Sequence, residues 1–255
     1  MSKDSTPETK TEETKSNTRP TTYSSKLVFR EYFESLSVAI VLALVIRFFV
    51  LTAYKIPTGS MIPTLKVGDF VFASKLSYGV PIPFSSGKRL GEKMPQRSDV
   101  IVFRFPADES IHYVKRIVGL PGDRIEIRDK KLIVNEKVLD YSPLNTDEII
   151  GDLPGKTYFT VLAEQGSKDR PARTIMIAKD NETEFFGPVI VPPEHVFVLG
   201  DNRDSSEDSR YWGMVPLRNI EGRVFVIWMS FDWNRSWAGG RLPGVRWERL
   251  FDGIK

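Results

Sequence analysis

The chain has 255 residues, of which 41% are hydrophobic and 27% charged, and its formal net charge at pH 7 is +3. It contains no cysteine, which excludes disulfide scaffolds, thiolate zinc sites and cysteine nucleophiles. Its lysines and arginines are scattered along the sequence, which argues against a nucleic-acid-binding protein. The only histidines, His112 and His195, leave open one metal site that carboxylates would complete.

Residues 1–30 are predicted to be a disordered polar tail. The stretch MSKDSTPETKTEETKSNTRPTTYSS is rich in Thr, Ser, Lys and Glu and holds almost no aliphatic side chains. Such a segment cannot bury enough apolar surface to fold on its own.

Residues 31–56 are predicted to form a single transmembrane helix. They contain the run LSVAIVLALVIRFFVLTAYKI, whose 21 residues would cross a hydrocarbon core of roughly 30 Å at about 1.5 Å per residue. Arg47 is unfavourable within such a run, at a cost of about 3 kcal/mol near the centre of a span, unless its long side chain reaches the headgroups. A buried helix of a soluble core is the alternative, and a cleaved signal peptide fits the sequence less well.

The charges before this run give only a slight preference for one orientation. Six basic and six acidic residues precede Leu36, and only the basic ones count in the positive-inside rule. The rule favours a cytoplasmic N-terminus, with the larger C-terminal part on the extracytoplasmic side.

Residues 57–140 and 191–255 are predicted to form a mainly antiparallel β core. Segments such as DFVFASKL, DVIVFRF, DRIEIRD and HVFVLGD are short, rich in Val, Ile and Phe, and bounded by turn residues. Residues 141–190 are more polar and irregular, and we expect an inserted subdomain or elaboration there. Near the end of the core, Trp228, Trp233 and Trp237 lie close together in sequence and suit a bilayer interface, although Trp228 also suits the core.

Ser60 lies in the stretch IPTGSMIPTL, directly after the apolar run. Two prolines and a glycine restrict the backbone around it, which would hold its hydroxyl in one orientation. A serine also needs a positioned base to act as a nucleophile. From this stretch alone, a tight turn with a solvated serine is the simpler interpretation.

A base for Ser60 is suggested by the stretch SIHYVKRIVGLPGD. Strand alternation places Lys115 on a face with bulky apolar side chains, and burial among apolar groups lowers the pKa of a lysine from about 10.4. A neutral lysine can accept a proton, whereas the neighbouring Arg116 stays protonated. His112 is the alternative base, and an ordinary solvated strand lysine is the alternative for Lys115.

A third segment, GDNRDSSEDSRYWG, is dense in Asp, Asn, Ser and Arg, which is typical of a loop whose side chains bond its own backbone. Its composition is similar to that of a calcium loop. It lacks, however, the glycine and the final glutamate of the helix-loop-helix calcium motif, and its arginines would repel a cation. A polar network that supports an active site is the better interpretation.

Three stretches in this order, PTGSMIPTLKVGDFVF, YVKRIVGLPGD and VPPEHVFVLGDNRDSSEDSRYWGMVP, strongly resemble bacterial type I signal peptidase, a membrane-bound serine protease. The resemblance spans roughly residues 30 to 230. It implies an antiparallel β-sheet catalytic domain of the kind shared by signal peptidases and self-cleaving repressors.

The resemblance also implies roles for the matching residues. Ser60 takes the place of the nucleophile and Lys115 that of the general base. Thr58 would contribute its hydroxyl to the oxyanion hole beside the Ser60 N–H, and Ser206 would orient the lysine amine.

Other residues are expected to support the site or to bind substrate. Asp208 and Arg210 match a charged pair that braces the site, and Asp201 is expected to have a structural role. The pockets for substrate side chains are expected to be lined by Ile62, Phe70, Ile111 and Val114.

The resemblance implies exported preproteins as substrates, cut after a small-x-small motif that usually contains alanine. It further implies location in the cytoplasmic membrane, contact with membrane lipid and a functional link to the secretion translocon. No metal and no organic cofactor are expected, and no nucleic-acid partner.

Two other functions remain open from the sequence. One is a self-cleaving repressor-like Ser/Lys protease, which would normally lack a membrane anchor. The other is a non-enzymatic, membrane-tethered β-rich binding module in which the polar loops only stabilise the fold.

Overall fold

The computed structural model describes residues 25–82, 85, 88–166, 171–180, 184–237 and 242–254. Most of the predicted disordered tail, residues 1–24, lies outside these ranges. Trp237 is described for its backbone only. The chain divides into two compact units, residues 1–43 and 44–255.

The first described element is helix α1 (Ser25–Val45), which continues into a π-helical turn (Ile46–Val50). Leu, Ala and Val give its second half a mainly apolar surface, and Arg30 and Glu34 form an ion pair one turn apart in its first half. Because α1 begins at Ser25, the last residues of the tail predicted to be disordered are helical.

Within the part of the chain that the structure describes, no helix is both long enough and apolar enough to cross a membrane. The bounds predicted for the apolar helix, residues 31–56, are corrected at both ends. The helix begins at Ser25, and its first half carries Arg30, Glu31 and Glu34. The helical segment ends at Val50, and the residues that follow form a strand in register with residues 70–74.

Antiparallel strands make up most of the second unit, as the sequence predicts. The strands are β1 (Leu51–Lys55), β2 (Asp69–Ser74), β3 (Val80–Pro81), β4 (Arg89–Leu90), β5 (Val100–Phe105), β6 (Asp108–Gly119), β7 (Arg124–Arg128), β8 (Lys131–Val134), β9 (Lys137–Val138), β10 (Asp140–Pro143), β11 (Phe159–Gln165), β12 (Arg173–Ala178), β13 (Phe185–Ile190), β14 (His195–Leu199), β15 (Val215–Pro216), β16 (Ile220–Trp237), β17 (Leu242–Val245) and β18 (Asp252–Gly253). The later helices are short: α2 (Thr146–Ile150), α3 (Ser209–Trp212) and several 3₁₀ turns.

The main sheet runs in the order β1-β2-β16-β5-β6-β14-β15, with β17 and β18 paired to β16. Strand β2 shows the alternation expected of a sheet with one face on the core, since Asp69, Val71 and Ala73 are buried. Their neighbours on β2, Phe70 and Phe72, lie on the other face.

On that other face, aromatic rings pack against one another. Phe70 contacts the rings of Trp228 and Phe231 edge-on, and Phe72 stacks on Trp228 at 5.4 Å between ring centroids. Trp228 is therefore half-buried in an outer aromatic cluster, whereas Trp233 is 60% exposed.

Two smaller sheets cover the segment that the sequence marks as more polar. Strands β10, β11 and β12 form a three-stranded sheet within residues 140–178, which we call the insert sheet. Strand β13, which follows β12 in the chain, belongs to a different sheet of four strands, in the order β13-β7-β8-β9.

Candidate active site

A tight turn after β1, residues 57–65, carries Ser60, and we call it the nucleophile turn. The Ile62 N–H donates to Gly59 O at 3.1 Å and the Leu65 N–H to Met61 O at 2.9 Å. Met61 and Leu65 are fully buried in a core cluster with residues of β2, β5 and β16. Two anchored side chains therefore fix the backbone on one side of Ser60, and Ser60 itself stays half-buried.

Lys115, on β6, points at this serine. Its Nζ donates a 2.6 Å hydrogen bond to Ser60 Oγ, and its side chain is 4% exposed. The Nζ also lies 5.7 Å from the centre of the Tyr113 ring. The structure thus brings together the two residues that the sequence predicts to form a dyad.

Burial is the main reason that the pKa of Lys115 is lowered to about 8. The negative charges of Asp208, Asp201 and Glu207 act in the opposite direction, and the positive charge of Arg210 adds to the lowering. About a tenth of Lys115 is therefore neutral at pH 7, and this is the form able to accept a proton.

Thr58 lies beside the serine hydroxyl, with 3.5 Å between Thr58 Oγ1 and Ser60 Oγ. Among the described residues, none accepts a hydrogen bond from the Ser60 N–H. A hydroxyl and an N–H without an acceptor near one nucleophilic oxygen are suitable donors for an oxyanion.

Ser206 lies in the segment after β14, residues 200–213, which we call the polar loop. A Cβ at Gly200 would lie 2.2 Å from Ser206 Oγ and 2.4 Å from Ser60 O, so only glycine allows this approach. The Ser206 hydroxyl is buried and has no hydrogen-bond partner among the described residues. The structure therefore places Ser206 near the site without the predicted hydrogen bond to Lys115.

Asp208 and Arg210 form the charged pair that the sequence predicts. Arg210 Nε and Nη2 each donate to the Asp208 carboxylate at 2.8 Å, and Asp208 is fully buried. Asp208 also accepts from the Gly200 N–H at 3.0 Å, while Arg210 Nη1 donates to Glu184 at 2.6 Å. The pair thus ties both ends of the polar loop together.

Asp201 forms a second buried pair, with Arg116, the neighbour of Lys115. Arg116 Nε and Nη2 donate to the two Asp201 oxygens at 2.8 and 2.7 Å, and both side chains are 1% exposed. Thr64 Oγ1 donates to the same carboxylate at 2.5 Å. Asp201 therefore joins β6, the nucleophile turn and the polar loop, which fits its expected structural role.

Asn202 is part of the site although sequence reasoning assigned it no role. Its N–H donates to Ser60 O at 3.1 Å, and its Nδ2 donates to Gly59 O at 3.2 Å. It therefore holds the backbone of Gly59 and Ser60. Its position directly after Asp201 in the polar loop was the only sequence signal.

A cleft of about 580 Å³ runs along Ser60 and Lys115. Of the four predicted pocket residues, Ile111 and Val114 line it. Ile62 is buried instead in a separate core cluster with Ile150, and Phe70 packs in the outer aromatic cluster. The structure therefore places Ile62 and Phe70 outside the lining of this cleft, because alternation separates the faces of a segment but does not identify the face that borders the cleft.

Neither histidine is hydrogen-bonded to Ser60. The His112 ring lines the cleft and lies 5.7 Å from the Tyr54 ring, and His195 Nδ1 is 2.8 Å from Pro193 O. Across the described residues, no cluster of three or more His, Cys, Asp or Glu side chains is arranged to hold a metal ion.

Comparison with known proteins gives consistent matches over most of the chain. The family model described as signal peptidase, peptidase S26, matches residues 29–229. Signal peptidase I of Pseudomonas aeruginosa is 38% identical over 214 residues, which cover 79% of this chain and 72% of that protein. Signal peptidase I of Rickettsia typhi is 36% identical over 234 residues, which cover 83% and 84%. A crystal structure of a signal peptidase I from Enterococcus faecalis V583 is 30% identical, with a TM-score of 0.32, and covers 51% of this chain and 97% of that chain.

Proposed function

The chain belongs to the signal peptidase family, peptidase S26, and we propose that Ser60 and Lys115 are the dyad with which it cleaves signal peptides from exported preproteins. The observation that carries the assignment of the dyad is the 2.6 Å hydrogen bond between a buried lysine amine and the serine hydroxyl. Both residues line the same cleft, so a peptide bound there reaches them together.

Lys115 acts first, as the general base. In its neutral form its lone pair accepts the Ser60 proton over the distance that the hydrogen bond already spans. The alkoxide then attacks the carbonyl carbon of the scissile peptide bond, and the negative charge moves to the carbonyl oxygen.

Thr58 and the Ser60 N–H stabilise that oxygen. One donor of this kind is worth about 3 kcal/mol, because it is aimed in advance at charge that develops in the transition state. The Lys115 ammonium then donates its proton to the leaving amine, and the mature protein departs. Water, deprotonated in turn by Lys115, hydrolyses the ester on Ser60 and frees the signal peptide.

The edges of two strands suit an extended substrate. Strand β6 pairs with β14 only through residues 116–119, and within the described chain β1 pairs only with β2. Residues from the free edges of both strands, Tyr54 and Ile111 to Lys115, line the cleft. A peptide can therefore enter as an added strand, with backbone hydrogen bonds for affinity and side-chain pockets for specificity.

Ile111 and Val114 are the two predicted pocket residues for which this cleft supports contact with substrate. Their apolar side chains would accept small residues on the side of the peptide before the cut. We therefore expect cleavage after a small-x-small motif such as Ala-x-Ala.

The test is cleavage of a synthetic preprotein that contains one Ala-x-Ala site, with product masses identifying the cut bond. A matched substrate carries lysine in place of the alanine next to the cut. The proposal predicts a single cut after the second alanine of the first substrate and loss of that cut in the second. Equal cleavage of both, or cuts at scattered sites, would contradict the proposed specificity.

Although α1 by itself is not apolar enough to cross a membrane, its apolar second half continues into the π-helical turn that ends at Val50. We further propose that these two parts together anchor the protein in the cytoplasmic membrane, with the N-terminus in the cytoplasm and the catalytic unit on the other side, beside the translocon and in contact with lipid. The support is a set of apolar side chains in α1 that are 47% to 69% exposed: Leu36, Val38, Ile40, Val41, Leu42, Leu44 and Val45. Protease added to spheroplasts should digest the catalytic unit, and its protection there would contradict this orientation.

A further inference from the structure

A buried ion cluster joins the insert sheet to the polar loop and has no direct part in the chemistry. At its centre is Glu164 of β11, which is fully buried. The strand register places Tyr141 of β10 and Arg173 of β12 directly opposite Glu164, one on each side. Tyr141 donates to Glu164 Oε1 at 2.7 Å, and Arg173 Nε donates to Oε2. The insert sheet therefore presents one carboxylate at a fixed point.

Arg203 of the polar loop completes this cluster. Its Nη1 and Nη2 donate to Glu164 Oε1 and Oε2 at 2.8 and 2.6 Å, and the side chain is 5% exposed. Burial alone would raise the pKa of Glu164, but the charges of Arg173 and Arg203 lower it below its usual range. The carboxylate is thus ionised, and it binds Arg203 in the two-point geometry that fixes orientation as well as distance.

The backbone of Arg203 continues directly into the contacts that hold the nucleophile. Its neighbour Asn202 donates through its N–H to Ser60 O and through Nδ2 to Gly59 O. On the insert side, the Met176 N–H donates to Asp201 O at 2.8 Å. A short stretch of the polar loop, residues 201–203, is therefore bound to the insert sheet on one side and to the nucleophile turn on the other.

On the function proposed above, we infer that Glu164 is a positioning residue for the reaction. Its ion pair with Arg203 fixes the backbone at Asn202, and Asn202 holds Ser60 at hydrogen-bonding distance from Lys115. Without the carboxylate, the buried Arg203 guanidinium would lose its partner and move toward water. The backbone at Asn202 would move with it, and the dyad would lose its alignment.

A purely structural role for Glu164 predicts a different result. A protein that is only less stable has a lower Tm, but each folded molecule keeps the kcat of the wild type. A misaligned dyad lowers kcat for each folded molecule and leaves KM nearly unchanged, because the Ser60–Lys115 geometry is used in the chemical step. The maximal rate divided by the concentration of folded protein therefore separates the two roles.

The test compares Glu164→Gln and Glu164→Asp with wild-type full-length protein, with the folded fraction measured by circular dichroism. We expect Glu164→Gln to lower kcat by about tenfold or more, as displacement of a catalytic group does, with KM within about twofold. Glu164→Asp keeps the charge on a shorter side chain and should recover part of this loss. The matched control is Asp152→Asn, which breaks the 2.7 Å salt bridge from the inserted segment to Lys66 and should keep the wild-type kcat.

Wild-type kcat in folded Glu164→Gln would overturn the inference, whatever its Tm. If that variant does not fold, Arg203→Lys carries the same test, because lysine keeps the charge but not the two-point contact. A lower kcat with unchanged KM in Arg203→Lys supports the inference, and an unchanged kcat overturns it. Ser60→Ala is assayed in parallel: if it remains active, the proposed dyad fails, whereas an inactive Ser60→Ala beside a fully active Glu164→Gln removes only the role of Glu164.

Discussion

Lys115 Nζ lies 2.6 Å from Ser60 Oγ, although the two residues are 55 positions apart in sequence and the lysine is only 4% exposed. The reaction needs a neutral lysine, and burial favours that form because it lowers the pKa of Lys115 to about 8. The nearby carboxylates limit this lowering. The pKa of Lys115 is therefore set by a balance between desolvation and the nearby charges, and neither histidine is hydrogen-bonded to Ser60.

Replacement of the base is the first prediction. Lys115→Arg keeps the positive charge but has no neutral form near pH 7, so it cannot accept the Ser60 proton. Preprotein cleavage should fall by about a hundredfold or more, the usual contribution of a general base. Circular dichroism should show a folded protein, and substantial activity in the folded variant would exclude Lys115 as the base.

The pH dependence of cleavage follows from the direction in which the pKa of Lys115 is shifted. Lysine acts as the base when neutral, and its pKa in the free enzyme is lowered to about 8, so kcat/KM should rise with pH and level off above that value. Below it, kcat/KM should fall about tenfold for each pH unit, because the neutral fraction falls in that proportion. A rate profile that is flat from pH 6 to pH 9 would be incompatible with this base.

Glu207 offers a finer version of the same measurement. It is exposed, lines the cleft, and its negative charge raises the pKa of Lys115. Glu207→Gln should therefore move the midpoint of the pH profile to lower pH. A midpoint that is unchanged or higher would show that its charge does not reach Lys115.

The oxyanion hole can be tested with an isosteric pair at Thr58. Thr58→Val removes the hydroxyl that lies 3.5 Å from Ser60 Oγ and should lower kcat by about a hundredfold or more, as loss of one such donor does. Thr58→Ser keeps the hydroxyl and should retain most of the activity. Equal activity of the two variants would exclude Thr58 from the oxyanion hole.

The buried Arg116–Asp201 pair should be important for stability. Asp201→Asn removes the negative charge that faces Arg116 Nε and Nη2 in a site where both side chains are 1% exposed. Such a loss costs about 3–5 kcal/mol. In a chain of this size, that is a fall of roughly 10 °C in Tm.

The control for this prediction is Glu109→Gln, in the more exposed pair with Arg104 at 3.0 Å. An exposed pair contributes about 1 kcal/mol or less, so the Tm should change little. Equal shifts in the two variants would mean that burial does not decide the contribution of these pairs.

The sequence was sufficient to predict the features that depend on residues close together in the chain. Alternation of apolar residues predicts the strands, and the bulky neighbours of Lys115 predict its burial. Alternation fails at the end of the apolar run, where Leu51 to Lys55 read as helix but form a strand, since their partners lie in β2. A short apolar run fits either structure, and only the pairing decides.

The residues that sequence reasoning missed act through contacts that no local pattern encodes. Asn202 binds Gly59 from a loop that is 143 positions away. Glu164 of the insert sheet meets Arg203 of the polar loop across 39 positions. A polar loop can be recognised by its composition, but its partners depend on the whole topology.

The most direct test of the dyad is cleavage of a synthetic Ala-x-Ala preprotein by wild-type protein and by Ser60→Ala, prepared and assayed in parallel. The hydroxyl is the only group removed, and alanine fits the half-buried site without strain. We predict a single cut by the wild type and no cut by folded Ser60→Ala. Cleavage of the same bond by both proteins at similar rates would contradict the assignment of Ser60 as the nucleophile.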